Sequence, residues 1–338
     1  MNTSPSLILT GHHSDDQAET FLLALKRGSG LKGLSAMTSE TKQGKDVLLR
    51  PLLNITRAQI LDYAQQLQLS WVEDESNTDI CFDRNFLRND IIPLLTNRWP
   101  SIVNTINRSS DHCREGQLLL EELAADDLKF CQKDGKNLSV GCLKQLSQSR
   151  FNNLIRYFLA QHQCLMPSTE QLVQLYLQLN AADDKTPVVK VGDNYLRRYK
   201  GVLYLTPQFG DVSDWQVELD LSDDESFIEL PDDLGKLNIV KVVLYNDQKT
   251  TQGIILPGKM QKVTLRFSHN NPSCLPDYRN HSRSLKKVLQ ELNIPTWQRK
   301  RIPFLYYDDE LVAAIGFFVC QAYVLQESEP SLHITWAS

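Results

Sequence analysis

Several things are missing from this sequence, and each absence removes a class of protein. No apolar run in the 338 residues approaches the roughly 20 needed to cross a bilayer as a helix, so no membrane partner is expected. The start, MNTSPSLILT, has no basic stretch ahead of its short apolar run and does not read as a secretory signal. The 7 cysteines, at 81, 113, 131, 142, 164, 274 and 320, form no C-x-x-C pair, which removes zinc ribbons and dithiol redox centres. Scattered thiols in odd number fit a reducing compartment, so the expected location is the cytoplasm. No internal repeat or low-complexity tract is present, which removes repeat architectures.

Basic residues are absent from one long stretch and crowded into another. Residues 211–235 carry 10 acids and no Lys or Arg, whereas residues 279–301 carry 7 Lys or Arg and a single acid, Glu291. The net charge of −5 averages over this asymmetry. Screening confines each patch to its own neighbourhood, so a basic segment can bind phosphates on an acidic protein. Arg283, Lys286 and Lys287 fall opposite the Leu285, Val288, Leu289, Leu292 face of a predicted helix, and Arg299, Lys300 and Arg301 follow Trp297. The bland alternative is a solvated helix face.

A hydrophobic content of 41% and a charged content of 23% are those of a globular chain, and 338 residues suggest two or three domains. Residues 7–10 read as a short buried strand. Ser14, with Gln17 three residues on, has the pattern of a capping box, and Ala18, Phe21, Leu22 and Leu25 form one helical face ended by Gly28. The opening is thus strand, tight loop, helix, and open α/β sheets place ligands at that loop. A second apolar run covers 47–53. Thr56 caps a helix over 57–67 with Ile60, Leu61 and Ala64 inward, and 86–95 is helical. Residues 102–179 are mostly helical in period. Runs at 188–191 and 202–205 suggest a strand pair. The acidic stretch 211–235 reads as a linker in which 227–230 is a possible strand. A strand at 263–267, a helix from Leu285 to Leu292 and a hairpin over 304–318 complete the chain.

Two motifs fail on context. The string GSGLKG at 28–33 matches the dinucleotide fingerprint but follows a helix instead of a strand. The string GIILPGKM at 253–260 has Met260 where a P-loop needs Ser or Thr, and a strand pattern follows it. A turn before a strand is the better reading.

One cluster survives. His12, His13, Asp15, Asp16 and Glu19 crowd the start of the first helix. Acids there stabilise the helix dipole, which explains one or two of them but not two adjacent histidines. A metal-dependent hydrolase is one alternative, although no third, distant ligand group declares itself and no metal site is assigned. Arg27 and the glycines after it could cradle an anion, or simply end the helix. Arg84 and Arg88, at i and i+4, could grip a phosphate or carboxylate, or form salt bridges to the acidic loop at 73–75.

Together the strings GHHSDDQAETFLLALKRGSGLKGLSAM, LLRPLL, WVEDESN, RNFLR through IIPLL, KVGDNYLRRYKGVLYL and SRSLKKVLQELNIPTWQRKRIPFLYYDDELVAAIGFFV resemble the tRNA(Ile)-lysidine synthetases, of the PP-loop ATP pyrophosphatase type. The resemblance implies an α/β fold with a partial parallel sheet of a PP-loop nucleotide domain at 1–100. A mostly helical tRNA-binding domain would follow at 101–208, then a C-terminal α+β tRNA-binding domain at 209–338 with the acidic linker at its start. It implies ATP-dependent ligation of L-lysine to C2 of the wobble cytidine of a tRNA(Ile) with a CAU anticodon, through an adenylated cytidine, with ATP and Mg2+ as cofactors. His13, Asp16, Glu19, Arg84 and Arg88 would be catalytic, and His12, Asp15 and Arg27 would contact the nucleotide. Arg283, Lys286, Lys287, Arg299, Lys300 and Arg301 would bind the tRNA backbone. The family's S-G-G-x-D-S phosphate loop matches nothing in MNTSPSLILT. The expectation is therefore a chain that starts inside its catalytic domain, is inactive alone, and is either completed by a separately encoded N-terminal half or acts as a non-catalytic tRNA-binding fragment.

Overall fold

The computed structural model describes residues 6–72, 74–179, 188–242, 253–325 and 330–337; the opening residues 1–5 and Glu73 of the acidic loop lie outside the described residues. The chain groups into two compact units, Met1–Gln132 with Gln145–Gln163, and Lys133–Lys144 with Cys164–Ser338.

The first unit opens on β1 (Leu7–Leu9) and passes through residues 10–13 into α1 (Ser14–Lys26). A single turn α2 (Leu31–Leu34), the hairpin β2 (Glu40–Gln43) and β3 (Asp46–Leu49), and α3 (Arg57–Gln66) follow. β1 runs parallel to β3, with Leu7 opposite Val47 and Leu9 opposite Leu49, while β2 lies antiparallel on the other edge of β3. The sequence predicts a buried β1, yet Leu7, Ile8 and Leu9 are exposed. Among the described residues β1 is an edge strand with β3 as its neighbour. Apolar composition marks a strand, but what is stacked on it decides burial.

The cap of α1 falls one residue earlier than Ser14. His13 is extended and its N–H donates to the Asp16 carboxylate at 2.9 Å, while Ser14 is buried and accepts from Asn107 through both its carbonyl and its hydroxyl. Gln17, expected in the capping box, instead clamps the backbone of Met37 with both ends of its amide, at 2.8 Å each. Gly28 takes φ +66, the left-handed turn that ends the helix. Ala18 is buried against Ile92 and Ile106, with Phe21 and Leu22 packed on them. Leu25, predicted on that face, is exposed because the last turn runs past this small core.

Beyond α3 the chain makes α4 (Asp83–Phe86), a π-helical turn at Leu87–Ile91, and α5 (Ile92–Arg98), then the 30-residue α6 (Ile102–Cys131). It continues through β4 (Gln132–Asp134), β5 (Asn137–Ser139) and the turn α7 (Val140–Leu143), then α8 (Gln148–Gln161) and α9 (Thr169–Leu179). α8 belongs to the first unit, where Arg150 pairs with the buried Asp127 of α6.

In the second unit β6 (Val188–Val191), β7 (Asn194–Tyr199) and β8 (Val202–Pro207) complete an antiparallel sheet in the order β4-β5-β8-β7-β6. The middle region is therefore not mostly helical alone. The two runs read as a pair are separated by β7, whose Arg197 and Arg198 masked it as polar. The acidic segment is no linker either. It holds β9 (Gln216–Glu218) and β10 (Glu225–Glu229), with Val212, Leu219 and Leu230 buried. β11 (Lys236–Val242), β12 (Ile254–Ile255), β13 (Val263–Arg266), β14 (Ser273–Cys274) and β15 (Arg283–Ser284) follow. They lead to α10 (Leu285–Glu291), α11 (Thr296–Arg299), β16 (Phe304–Tyr307), β17 (Glu310–Ala314), β18 (Phe318–Val319) and β19 (Ser331–Ala337). Two antiparallel sheets, β10-β11-β19-β12 and β18-β17-β16-β13-β9, share one core around Leu237, Leu265, Leu305 and Leu332. α10 buries Leu285, Val288 and Leu289 in a second core with Phe304 and Tyr306. The alternation of buried and open positions along β13 is the period-two pattern its sequence predicts.

Candidate active site

The loop from β1 to α1 opens at the carboxyl end of the parallel pair, and two further segments reach it. Ile55, past the end of β3, accepts from Ser14 N–H at 2.9 Å, and Arg57 N–H at the start of α3 donates to Asp15 Oδ2 at 2.8 Å. Asp15 thus fixes α3. His13 stands between the acids, with one ring nitrogen 3.6 Å from Asp15 Oδ2 and the other 3.4 Å from Asp16 Oδ2. The first distance is too long for a hydrogen bond, and His13 Nδ1 is buried with no partner among the described residues.

Asp16 and Glu19 meet both arginines. Arg88 grips Glu19 with Nε on Oε1 at 2.7 Å and Nη2 on Oε2 at 3.0 Å, and Nη2 also reaches Asp16 Oδ1 at 2.9 Å. Arg84 donates from Nε to Glu19 Oε2 at 2.9 Å and from Nη2 to Thr20 Oγ1 at 3.2 Å. Glu19 is 1% exposed, so its carboxylate fixes the arginines and meets no solute. Its hydrogen bonds hold the Arg88 guanidinium above its ordinary value, against the opposing effect of burial. Arg84 is the open member, 41% exposed. Among the described residues the arginine pair therefore binds α1 and not the acidic loop. That loop is held by the neighbouring asparagines. Asn85 donates to the carbonyls of Ser76 and Asp79, and Asn89 to that of Asn77. The string RNFLRN carries both duties, one register facing α1 and the other the loop. The π turn sits where Arg88 must aim at two carboxylates, a common place for such irregularity.

Two predicted nucleotide contacts lie apart from this cluster. His12 Nδ1 pairs with Thr10 Oγ1 at 2.9 Å. Arg27 caps the far end of α1, about 20 Å from His13 by the helical rise. Asn85, Asn89 and Thr20 were not singled out from sequence, although the repeated Arg-Asn at i and i+4 was the available signal.

ATP is the group the sequence implies here, and its triphosphate does not fit against this cluster. Asp15 stands at the open side with Asp16 and Glu19 buried behind it, and both guanidiniums that could neutralise phosphate are already engaged by Asp16 and Glu19. Phosphates would need a cradle elsewhere. The metal-hydrolase alternative finds no support. Among the described residues no group of three or more His, Cys, Asp and Glu could hold a metal ion.

In the second unit the six basic residues expected to bind backbone divide. Lys286, Lys287 and Lys300 are exposed. Arg283 pairs with Glu291 at 2.9 Å. Arg299 donates to the Ile294 carbonyl and the Tyr199 hydroxyl. Arg301 is buried and paired with Asp232, which corrects its place in the patch: a guanidinium held by a carboxylate inside the fold offers little to a phosphate. No helix among the described residues is long and apolar enough to cross a membrane.

Comparison with known proteins now bears on the whole chain. A family model described as the PP-loop domain matches residues 1–95, one described as the TilS substrate binding domain matches 138–204, and one described as the TilS substrate C-terminal domain matches 263–336. The tRNA(Ile)-lysidine synthase of Serratia proteamaculans is 43% identical over 333 residues, covering 97% of this chain and 73% of its own length. Those of Coxiella burnetii and Histophilus somni are 39% and 41% identical, covering 95% and 92% of this chain and 70% and 73% of their own. A solved TilS C-terminal domain covers 37% of this chain and 99% of its own at 14% identity, with a TM-score of 0.28 that is too low to bear on the fold. Likeness of this extent, spread over all three matched segments, shows that the chain belongs to the tRNA(Ile)-lysidine synthase family.

Proposed function

We propose that this chain serves lysidine synthesis on a tRNA(Ile) with a CAU anticodon, in the cytoplasm, as a ligase that joins L-lysine to C2 of the wobble cytidine. ATP with Mg2+, held by a phosphate cradle outside this cluster, would supply the activation of C2 with loss of pyrophosphate, AMP being the group that lysine then displaces. The chain's own residues then handle the lysine. Asp16, 7% exposed and already holding Arg88 and the His13 N–H, is assigned the lysine ammonium, which must enter beside that guanidinium. The amine must lose a proton before it attacks C2, and the His13 ring, whose Nε2 lies 3.4 Å from Asp16 Oδ2, is the group assigned to assist. Arg84 faces the anionic side of the reaction, and Glu19 positions both guanidiniums.

One observation carries this reading: an imidazole, two carboxylates and two guanidiniums interlock at the carboxyl end of a parallel strand pair. The test is lysidine formation measured by nucleoside mass spectrometry. The family's S-G-G-x-D-S segment, which these 338 residues do not spell, is supplied fused or in trans. Asp16→Asn should lower turnover about 100-fold or more, the scale of a lost charge contact at a reacting group. Near-normal turnover would remove Asp16 from the mechanism.

A further inference from the structure

A cavity of about 440 Å³ in the second unit plays no part in the site above. Arg197 of β7, Phe209, Asp211, and Thr296, Trp297 and Lys300 at α11 line it. Arg197 is the unusual member. Its guanidinium carbon lies 4.8 Å from the Tyr195 ring centre and 5.6 Å from those of both Phe209 and Trp297. Its Nε donates to Thr206 Oγ1 at 2.9 Å, and no carboxylate among the described residues pairs with it. Burial pulls it below its ordinary value, as expected of a half-buried cation without a counter-ion. Arg301 beside it is neutralised by Asp232, and Asp211 accepts from the Ser213 amide and lies close enough to Lys300 to share its charge, so Arg197 is the cation left without a counter-ion. Trp297 is held edge-on by Tyr199 and Tyr204, and its Nε1 is buried with no hydrogen-bond partner among the described residues.

An unneutralised cation, an orphaned indole N–H and flat aromatic walls together lack one ligand: a planar ring with acceptor atoms, joined to an anion. We propose that this cavity receives a single unstacked nucleotide. Its base lies against the Trp297, Phe209 and Arg197 faces and its phosphate against Lys300 and the outer edge of Arg197. Stacking of this kind tolerates any base, because each has a π face. The nucleotide is either part of an RNA strand or a free monophosphate. The inference rests on the reading of RNA as substrate for its relevance, not for its geometry.

The full chain, labelled with 5-fluorotryptophan, tests it. The chain has 5 tryptophans, and Trp297→Phe assigns the resonance of interest. Titration with a single-stranded adenosine hexamer should shift that resonance and leave those of Trp71 and Trp99 in place. Arg197→Gln should weaken hexamer binding about tenfold, the scale of one lost stacking partner. Lys300→Glu, an exposed position that leaves the fold alone, should weaken it as well. AMP run in parallel separates the sources: a shift with hexamer alone assigns a strand, and a shift with AMP at equal affinity assigns a free nucleotide. A Trp297 resonance unmoved by either, with tRNA binding equal in wild type and both variants, would overturn the cavity while leaving lysidine synthesis untouched. Normal cavity binding beside an unimpaired Asp16→Asn enzyme would do the reverse.

Discussion

Glu19 shows how much a single buried carboxylate can decide. Both its oxygens are engaged by arginines that lie more than 60 residues away in the chain. Arg88→Met would leave that carboxylate buried with half its partners gone, and should cost about 3 kcal/mol in denaturant midpoint experiments. Arg88→Lys keeps the charge but loses the fork that spans Glu19 and Asp16, so it should recover only part of the loss. A loss of a few tenths for Arg88→Met would mean that Glu19 is solvated instead. His269 gives a pH dependence at the same scale. Its Nδ1 accepts from the Asn271 N–H, its ring meets the edge of Phe304, and burial, then the charge of Lys286, lowers its pKa from 6.5. The unfolded chain therefore binds more protons than the folded one just below pH 6.5. Stability from this group is complete above that value and declines as the pH falls through it. Melting temperature should drop between about pH 7.5 and about pH 5.5, and His269→Asn should flatten the drop, with a remainder left by His333, which burial shifts the same way. The residues of the candidate site were visible in the sequence as types. Their partners were not, because charge pairing across such separations follows from packing.

Among elements, caps and turns were the most legible parts. Thr56 accepts from Gln59 N–H at 3.2 Å and closes a capping box, as its position ahead of an apolar period predicts. Thr56→Ala should cost about 1 kcal/mol in thermal or chemical unfolding. Gly28→Ala should cost a similar amount, about 1 kcal/mol, because φ +66 suits glycine and an added Cβ there meets empty space, leaving backbone strain alone to be measured. Equal stability for Gly28→Ala would place the end of α1 elsewhere. The elements missed in sequence are those whose polar content hides their period. β7 carries adjacent arginines, one buried and one facing the cavity, whereas β10 was legible as the possible strand at 227–230, shifted toward the N-terminus. The π turn in the RNFLRND block was illegible too, since apolar spacing at one irregular turn still looks α-helical.

For the molecule as a whole, charge is segregated along the chain, and the fold sorts it further. Of the basic residues between 279 and 301, the structure leaves Lys286, Lys287 and Lys300 open and ties Arg283, Arg299 and Arg301 to partners within the second unit. Charge reversal at Lys286 and Lys287 should weaken tRNA binding. It should also reduce the dependence of log affinity on log salt by about 0.9 for each lost phosphate contact, measured by filter binding across salt concentrations. Arg301→Gln should leave that slope in place and lower stability instead, since its partner Asp232 would lose the guanidinium that holds its carboxyl below the ordinary range. An unchanged slope after reversal at both lysines would place the tRNA elsewhere on the surface.

The sequence by itself determined the family, the bounds of α3, the glycine that ends α1, the strand-loop-helix opening and the identity of the polar cluster. All of these depend on local pattern and residue type, which a linear chain displays directly. Tertiary structure alone decided which acids meet which arginines, which basic residues stay in solvent, that an acidic stretch folds into two sheets, and that Arg197 and Trp297 share a cavity. Those outcomes depend on contacts between distant segments and on what water can reach, and neither is written in the neighbours of any one residue.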